Sequence, residues 1–244
     1  DGLEDIYRNA FPVLTELGLP ATVFVVTDSI DRRRPIWTDR VQEIIARHSA
    51  PSLSFQSLNR EIRYDLSTSH SRVRSLGECF RFALPLERGE LLQFVSEMEN
   101  AALDTRGRAK LEADPDLRPL SWDQIRAMAD RDVEIGSHSK THCIISRCGQ
   151  DSMRDELAAS KSRIASEIGR ECRLFAYPNG APGDFSDETR HMLMELGYSC
   201  GLTTVFGLLG GNADAFAAPR VGVSRRDSIH VFRAKLAGIW WQRN

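Results

Sequence analysis

Short apolar runs alternate with helical stripes along most of this chain, and this alternation constrains the fold more than any other feature. The run at 21–27 is dominated by β-branched and aromatic residues, as is typical of a parallel strand covered on both faces. Glycines and prolines follow several of the helical stripes, as expected just past a helix end. The predicted elements are helices at 3–17, 121–129, 151–168, 187–196 and 228–237, and strands at 21–27, 132–137, 173–177, 199–203 and 219–223. Strands that alternate with helices indicate βα units in a parallel sheet, and the number of these units favours closure into a barrel.

Residues 38–118 interrupt this pattern with amphipathic pieces and polar, turn-rich spacers. We interpret them as a mostly helical insertion packed on the main domain, not as a second catalytic unit. The 244 residues are long enough for one large α/β domain spanning 1–244.

Composition excludes several functional classes. The net charge of −2 and the pI near 6.4 give no reason to expect nucleic-acid binding. Three consecutive arginines at 32–34 fit a solvated loop or, alternatively, a patch for an anionic glycan. The chain has no run of about 18 apolar residues, so we expect no membrane-spanning segment.

A histidine pair stands out among only six histidines. The segment 138–142 reads His-Ser-Lys-Thr-His and directly follows the strand predicted at 132–137. Neutral imidazoles bind zinc-class metals, and two of them four residues apart after a strand can reach one ion. The plainer interpretation is a pair of polar residues on a helix face.

The cysteines leave further alternatives open. Their number is odd and no CxxC occurs, so the five cysteines are expected to be mostly reduced and buried. Cys143 and Cys148 follow the histidine pair closely, so a mixed His/Cys zinc site or a single disulfide between them is also considered.

Three polar clusters are expected at one edge of the sheet. Functional groups of parallel βα folds gather beyond the C-terminal ends of the strands. Asp1, the pair His138 and His142, and the segment 177–180 all fall there in the predicted arrangement. A carboxylate with two imidazoles is a common three-ligand set for catalytic zinc, with one position left for water or substrate. Cobalt, nickel or iron would accept the same ligands.

These motifs resemble those of the polysaccharide deacetylases, which are also known as the NodB homology domain or carbohydrate esterase family four. The resemblance rests on Asp1 with Gly2, on the His-Ser-Lys-Thr-His segment 138–142, and on the Phe-Ala-Tyr-Pro-Asn-Gly segment 175–180. Segments 19–24, 197–198 and 219–220 are similar to supporting signatures of the family. The resemblance covers residues 1–37 and 119–237.

The resemblance implies a distorted (β/α) barrel of about seven parallel strands. It also implies a divalent metal, Zn²⁺ in the first place, held by Asp1, His138 and His142. The activity implied is removal of N-acetyl, less often O-acetyl, groups from a carbohydrate, such as a bacterial cell-surface polysaccharide or exopolysaccharide. The backbone N–H of Asn179 corresponds to the donor that stabilises the oxyanion.

The same resemblance suggests substrate-binding residues. Tyr177 and Pro178 belong to the segment expected to line the site. Trp37, with Asp39, resembles a Trp-x-Asp feature of some members and would line the sugar groove. A half-buried structural tryptophan is the alternative.

The chain also departs from the family pattern. The first family motif reads Thr-Phe-Asp-Asp-Gly, and the chain begins at its second aspartate. We therefore expect the first strand and the general-base aspartate to be missing from this chain, and its activity to be impaired. Ala176 stands where the family often has an arginine, and Arg220 could supply that charge to the base or could simply be a packing residue.

The general acid has no clear counterpart, because the Leu-x-His motif is absent and His230 lies within the predicted last helix. Two other functions therefore remain open, a non-catalytic glycan-binding protein and a deacylase of small non-sugar amides. The sequence also leaves open the cellular compartment and the oligomeric state.

Overall fold

A computed structural model describes residues 1–210, 214–224 and 226–239. Trp240 and Trp241, for which the sequence suggests a packing or tail role, lie outside these residues. The helices are α1 (Phe11–Leu17), α2 (Thr27–Arg32), α3 (Trp37–Arg47), α4 (Ser69–Ala83), α5 (Arg88–Ala102), α6 (Thr105–Glu112), α7 (Trp122–Ala129), α8 (Gln150–Ile168), α9 (Asp187–Glu195) and α10 (Ile229–Leu236). The strands are β1 (Ala21–Val25), β2 (Ser52–Ser57), β3 (Arg60–Asp65), β4 (Val133–Ser137), β5 (Leu174–Ala176), β6 (Cys200–Phe206) and β7 (Ala218–Arg220).

The central sheet is parallel, which confirms the predicted α/β class. Its strand order is β1-β4-β5-β6-β7, with β1 and β7 as the outer strands. The described residues supply five parallel strands where the family resemblance implied about seven. Every strand of this sheet lies within or overlaps a predicted strand, and β1 pairs with β4 along its whole length.

Close packing fixes the middle of the sheet. Gly136 of β4 lies against the ring of Phe24 in β1, where a Cβ atom would come within 2.4 Å of a ring carbon. Ser137, at the end of β4, pairs with Phe175 of β5. The C-terminal ends of β1, β4 and β5 are therefore held side by side.

The first helical segment differs from the prediction. The stripe over residues 3–17 predicted one helix, but a π-helical stretch (Ile6–Ala10) precedes α1. Gly18 ends α1 with a positive φ of 62°, as the sequence predicted from its glycine.

The insertion is mostly helical, as predicted, but it also contains an antiparallel hairpin that the sequence analysis missed. Strands β2 and β3 pair through a turn in which Leu58 and Asn59 both have positive φ. Leucine is an uncommon residue for that conformation, and this explains why the turn gave no clear signal. One continuous apolar core includes Phe55 and Phe94 of the insertion together with Val25 and Phe175 of the sheet.

Among the described residues, no helix combines the length and the apolarity needed to cross a lipid bilayer.

Candidate metal centre

The histidine loop begins where β4 ends. The N–H of His138 donates to the carbonyl of Val25 in β1, which continues the sheet by one more hydrogen bond. Further along, the N–H of Asp28 donates to the carbonyl of Lys140 at 3.0 Å. The loop is therefore anchored to the C-terminal end of β1 and to the start of α2.

Two left-handed residues give the loop its shape. Ser139 and His142 have φ values of 67° and 64°. The N–H of His142 donates to Oγ of Ser139 at 2.9 Å, which closes the turn. As a result the rings of His138 and His142 lie edge to face, with centroids 4.9 Å apart.

Asp1 completes the cluster. Its Oδ1 atom lies 3.0 Å from Nε2 of His138 and 3.4 Å from Nε2 of His142. The carbonyl of Gly2 accepts a hydrogen bond from Leu120, which holds this end of the chain beside α7. The structure thus brings together the three residues that the sequence predicted as metal ligands, with ligand atoms all within 4.8 Å of one another.

The donor set fits a cation. Nδ1 of His138 lies 2.7 Å from the carbonyl of Ala176, so this nitrogen carries the proton and Nε2 presents a lone pair. That lone pair faces the Asp1 carboxylate, and two acceptors at 3.0 Å with no hydrogen between them repel each other. Burial lowers the pKa of His142 to about 4, and burial lowers the pKa of His138 well below its usual value. Both imidazoles are therefore neutral at neutral pH, which is the form that binds metal.

A buried carboxylate that the sequence analysis missed accepts hydrogen bonds from the histidine loop. Glu156 of α8 is fully buried. Its Oε2 accepts the N–H groups of Lys140 and Thr141, both at 2.9 Å, and its Oε1 accepts the hydroxyl of Thr141 at 2.7 Å. Nε of Arg88, at the start of α5, lies 3.0 Å from Oε1. An acid within the apolar stripe of α8 (Met153, Leu157, Ile164) was the available signal.

Trp37 supports the loop from the other side. Its side chain is only 1% exposed, and its Nε1 donates to the carbonyl of His142 at 2.9 Å. The prediction that Trp37 lines the sugar groove is therefore corrected, because its ring is not accessible and its contact is with the loop. Asp39, two residues on, is half-buried, and burial raises the pKa of its carboxyl group.

The segment 177–180 lies next to His138, but only part of this segment is accessible from solvent. Tyr177 is fully buried and donates its hydroxyl to the carbonyl of Phe216 at 2.7 Å, and Pro178 is buried as well. The prediction of direct substrate contact by the side chains of Tyr177 and Pro178 is corrected for this reason. Asn179 is exposed and has a φ of 60°, and Gly180 packs so closely that a Cβ atom would lie 2.9 Å from the nitrogen of Thr204. Within the described parts of the chain, the N–H of Asn179 has no hydrogen-bond acceptor.

Arg220 is half-buried at the end of β7, and burial lowers its pKa. Its charge contributes to the lowered pKa of His138, after burial and the neighbouring His142. Arg220 is therefore close enough to influence the centre electrostatically. His230, the nearest candidate for the general acid in sequence, is exposed on α10.

The mixed His/Cys site is not formed. Cys143 and Cys148 are buried and face each other, with their sulfur atoms 3.2 Å apart. Within the described residues, the cluster of possible metal ligands contains Asp1, His138 and His142 and neither cysteine.

Comparison with known proteins agrees with this geometry. The family model for polysaccharide deacetylases matches residues 94–201, which include the histidine loop and the segment 175–180. Over these residues the chain is similar to the polysaccharide deacetylase family. A curated relative is YxkH of Bacillus subtilis (strain 168), whose name assigns it to the same family. It is 27% identical over 120 residues, which is 49% of this chain and 42% of that protein.

Solved structures of deacetylases share the fold. The Streptococcus pyogenes deacetylase PplD, in complex with acetate, has a TM-score of 0.58 at 15% identity, over 96% of this chain and 66% of that one. A de-N-acetylase from Aggregatibacter actinomycetemcomitans has a TM-score of 0.53 at 12% identity, over 96% and 72%. The chain thus spans less than half of the curated relative and about two thirds of PplD. At these identities the structural likeness establishes the fold, and it identifies the sheet as that of the NodB barrel.

Proposed function

We infer that this polysaccharide deacetylase homologue is a metal-dependent hydrolase of acetylated carbohydrates. It would remove N-acetyl, or O-acetyl, groups from a bacterial cell-surface polysaccharide or exopolysaccharide. The observation that carries this inference is the convergence of one carboxylate and two neutral imidazoles on one point, where Nε2 of His138 presents a lone pair to the carboxylate.

Asp1, His138 and His142 would hold the metal, with Zn²⁺ as the first choice and Co²⁺, Ni²⁺ or Fe²⁺ as alternatives. A metal of this class in an open site supplies Lewis-acid polarisation of the acetyl carbonyl and a lowered pKa for water. The hydrogen bond from His138 to Ala176 would keep Nε2 directed at the site, and Trp37 would fix the position of His142.

The accessibility of the three ligands defines how substrate would approach. The two imidazoles are almost fully buried, whereas the side chain of Asp1 is 44% exposed. An acetamido group would therefore enter from the side of Asp1. The backbone N–H of the exposed residue Asn179 would donate to the oxyanion that forms from the acetyl carbonyl oxygen.

Arg220 would have an electrostatic role toward the general base. The family motif places a general-base carboxylate immediately before the aspartate that corresponds to Asp1. We assign Arg220 as the charge partner of that carboxylate, in place of the arginine that Ala176 replaces. The proton needed by the leaving amine would then come from that base or from solvent.

The test is release of acetate from a panel of N-acetylated and O-acetylated oligosaccharides by the full natural gene product. We expect release that stops with a chelator and returns with zinc or cobalt. The exposed His191 on α9 provides a matched control, since His191→Ala should keep the activity that His142→Ala loses. A folded protein that binds metal and sugar but releases no acetate would favour the glycan-binding alternative. Release of acyl groups only from small amides would favour the non-sugar alternative.

A further inference from the structure

Cys143 and Cys148 are placed as a reactive pair beside the metal centre. They flank a short 3-10 turn (Ile145–Arg147), and Cys143 directly follows the ligand His142. Their sulfur atoms are 3.2 Å apart, which is little more than 1 Å longer than a disulfide bond of about 2.05 Å. The side chains of Cys143 and Cys148 are 1% and 8% exposed, so the contact is made inside the protein.

The other cysteines do not share this arrangement. Among the described residues, the only contact between two sulfur atoms joins Cys143 and Cys148. Cys172 is buried and directs its thiol to the carbonyl of Leu174 instead. Cys79, also buried, and Cys200 are single thiols. An odd number of cysteines is thus accounted for by one pair and three single thiols.

We propose that Cys143 and Cys148 form an intramolecular disulfide that fastens the segment between the histidine loop and α8. The oxidant is a small-molecule disulfide such as oxidised glutathione. One cysteine thiolate attacks it to form a mixed disulfide and releases one thiol. The second cysteine then attacks the protein sulfur of that mixed disulfide and releases the other thiol. Two protein thiols and one disulfide thus yield one protein disulfide and two small thiols.

The surroundings indicate which sulfur reacts first. Cys148 lines a cavity of about 310 Å³ between α8 and α9, together with Gln150, Met153 and His191. Cys143 is turned inward and does not line this cavity. The external disulfide therefore meets Cys148 first, and Cys143 resolves the mixed disulfide from inside.

The disulfide would link the end of the histidine loop to the start of α8. Cys143 follows His142, whose carbonyl is held by Trp37. Cys148 lies just before Gly149, the N-cap of α8, and α8 carries Glu156, which accepts hydrogen bonds from the loop. Oxidation closes a short loop between these two anchors and restricts movement of His142 away from the other ligands. Metal should then leave the oxidised protein more slowly than the reduced protein.

The experiment maps the bond in the wild-type chain. Trypsin cuts after Lys140, Arg147 and Arg154, so the two cysteines fall on separate peptides, 141–147 and 148–154. The protein is incubated with oxidised glutathione, alkylated in denaturant, digested and analysed by mass spectrometry. We expect the two peptides to be linked and two of the five thiols to be protected from alkylation. The Cys172→Ser variant should keep the link, and the Cys148→Ser variant should lose it.

A second measurement tests the effect on the site. Cobalt is bound to reduced and to oxidised protein, and its release is followed after addition of excess chelator. We expect release to be about tenfold slower from oxidised wild type, in line with the usual effect of groups that orient a ligand. Cys148→Ser should release cobalt at one rate under both conditions.

The outcomes are distinct. Full alkylation of Cys143 and Cys148 after oxidation, or a link of either to another cysteine, would overturn the proposed bond. A mapped bond with unchanged cobalt release would overturn its effect on the metal centre. The peptide mapping needs neither deacetylase activity nor bound metal, so failure of the proposed function would leave the proposed bond intact. The effect on cobalt release rests on the proposed metal centre.

Discussion

Replacing Glu156 with alanine should weaken both the fold and the metal centre. The fully buried carboxylate accepts three hydrogen bonds from Lys140 and Thr141 and pairs with Arg88. Removing one partner of a buried ion pair costs about 3–5 kcal/mol. Arg88 keeps a second carboxylate, Asp155 at 2.7 Å, so its charge is not left alone and we expect about 3 kcal/mol. This is a large share of the roughly 5–15 kcal/mol by which proteins are stable.

The same substitution frees the backbone of the loop between the two histidine ligands. Residues that orient metal ligands from behind usually change metal affinity by about 10–100-fold, and we expect a loss in that range for Glu156→Ala. Affinity is measured by competition with a chromophoric chelator, at a temperature where the variant is folded. Stability is measured by urea unfolding of the metal-free protein.

A matched control separates the two effects. Glu99 of α5 is also buried. Its two carboxylate oxygens each lie 2.6 Å from a guanidinium nitrogen, one of Arg34 and one of Arg40. Glu99→Ala should therefore lose comparable stability without touching the histidine loop. If Glu156→Ala binds metal as tightly as Glu99→Ala, the carboxylate does not position the ligands and our reasoning is refuted.

Further substitutions and pH test the same centre. His138→Ala should abolish metal binding, measured as bound metal per chain, with only a modest loss of stability; bound metal that survives the change would disprove the assignment. Trp37→Phe should cost about 1 kcal/mol and weaken metal binding, because the carbonyl of His142 loses its donor. Trp122→Phe, which removes an exposed hydrogen bond to Asp31, should leave metal binding unchanged. Burial sets the pKa of His142 to about 4, below its ordinary 6.5, so protons favour the unfolded state as pH falls through this window. Urea unfolding should show the metal-free protein losing about 2 kcal/mol from this residue between pH 7 and pH 5, and His142→Gln should lose less.

The parallel strands and the position of the two histidines at the sheet edge were predictable because their signals are local. A β-branched run such as 21–27 identifies a buried strand by itself, and a ligand that directly follows a strand must lie at the edge of the sheet. The family resemblance added Asp1, which no periodicity could have connected to His138.

The supporting residues were harder to predict because their roles depend on contacts distant in sequence. In the sequence, Glu156 looks like an ordinary acidic residue of a helix. Only the packing of α8 against the histidine loop brings its carboxylate to two backbone N–H groups. Trp37 and Tyr177 have the composition of a sugar-binding surface, but both rings are buried and their polar atoms bind backbone carbonyls. Burial of an aromatic residue is decided by the neighbouring elements and not by the motif that contains it.

The hairpin of the insertion illustrates a different limit. The alternation of Leu53 and Phe55 with polar neighbours is short, and the turn at Leu58 lacks the usual glycine. Pairing with β3 and packing on Phe94 supply the stability that local sequence does not signal.

The central claim is that Asp1, His138 and His142 bind one metal ion, and equilibrium metal binding tests it most directly. The chain is freed of metal, titrated with zinc and with cobalt, and analysed for bound metal and for the visible spectrum of the cobalt form. We expect one ion per chain with nitrogen and oxygen ligands, and no binding at this site by His138→Ala or His142→Ala. Absence of binding by the wild type, or equal binding by these variants and by His191→Ala, would contradict the metal centre and the function inferred from it.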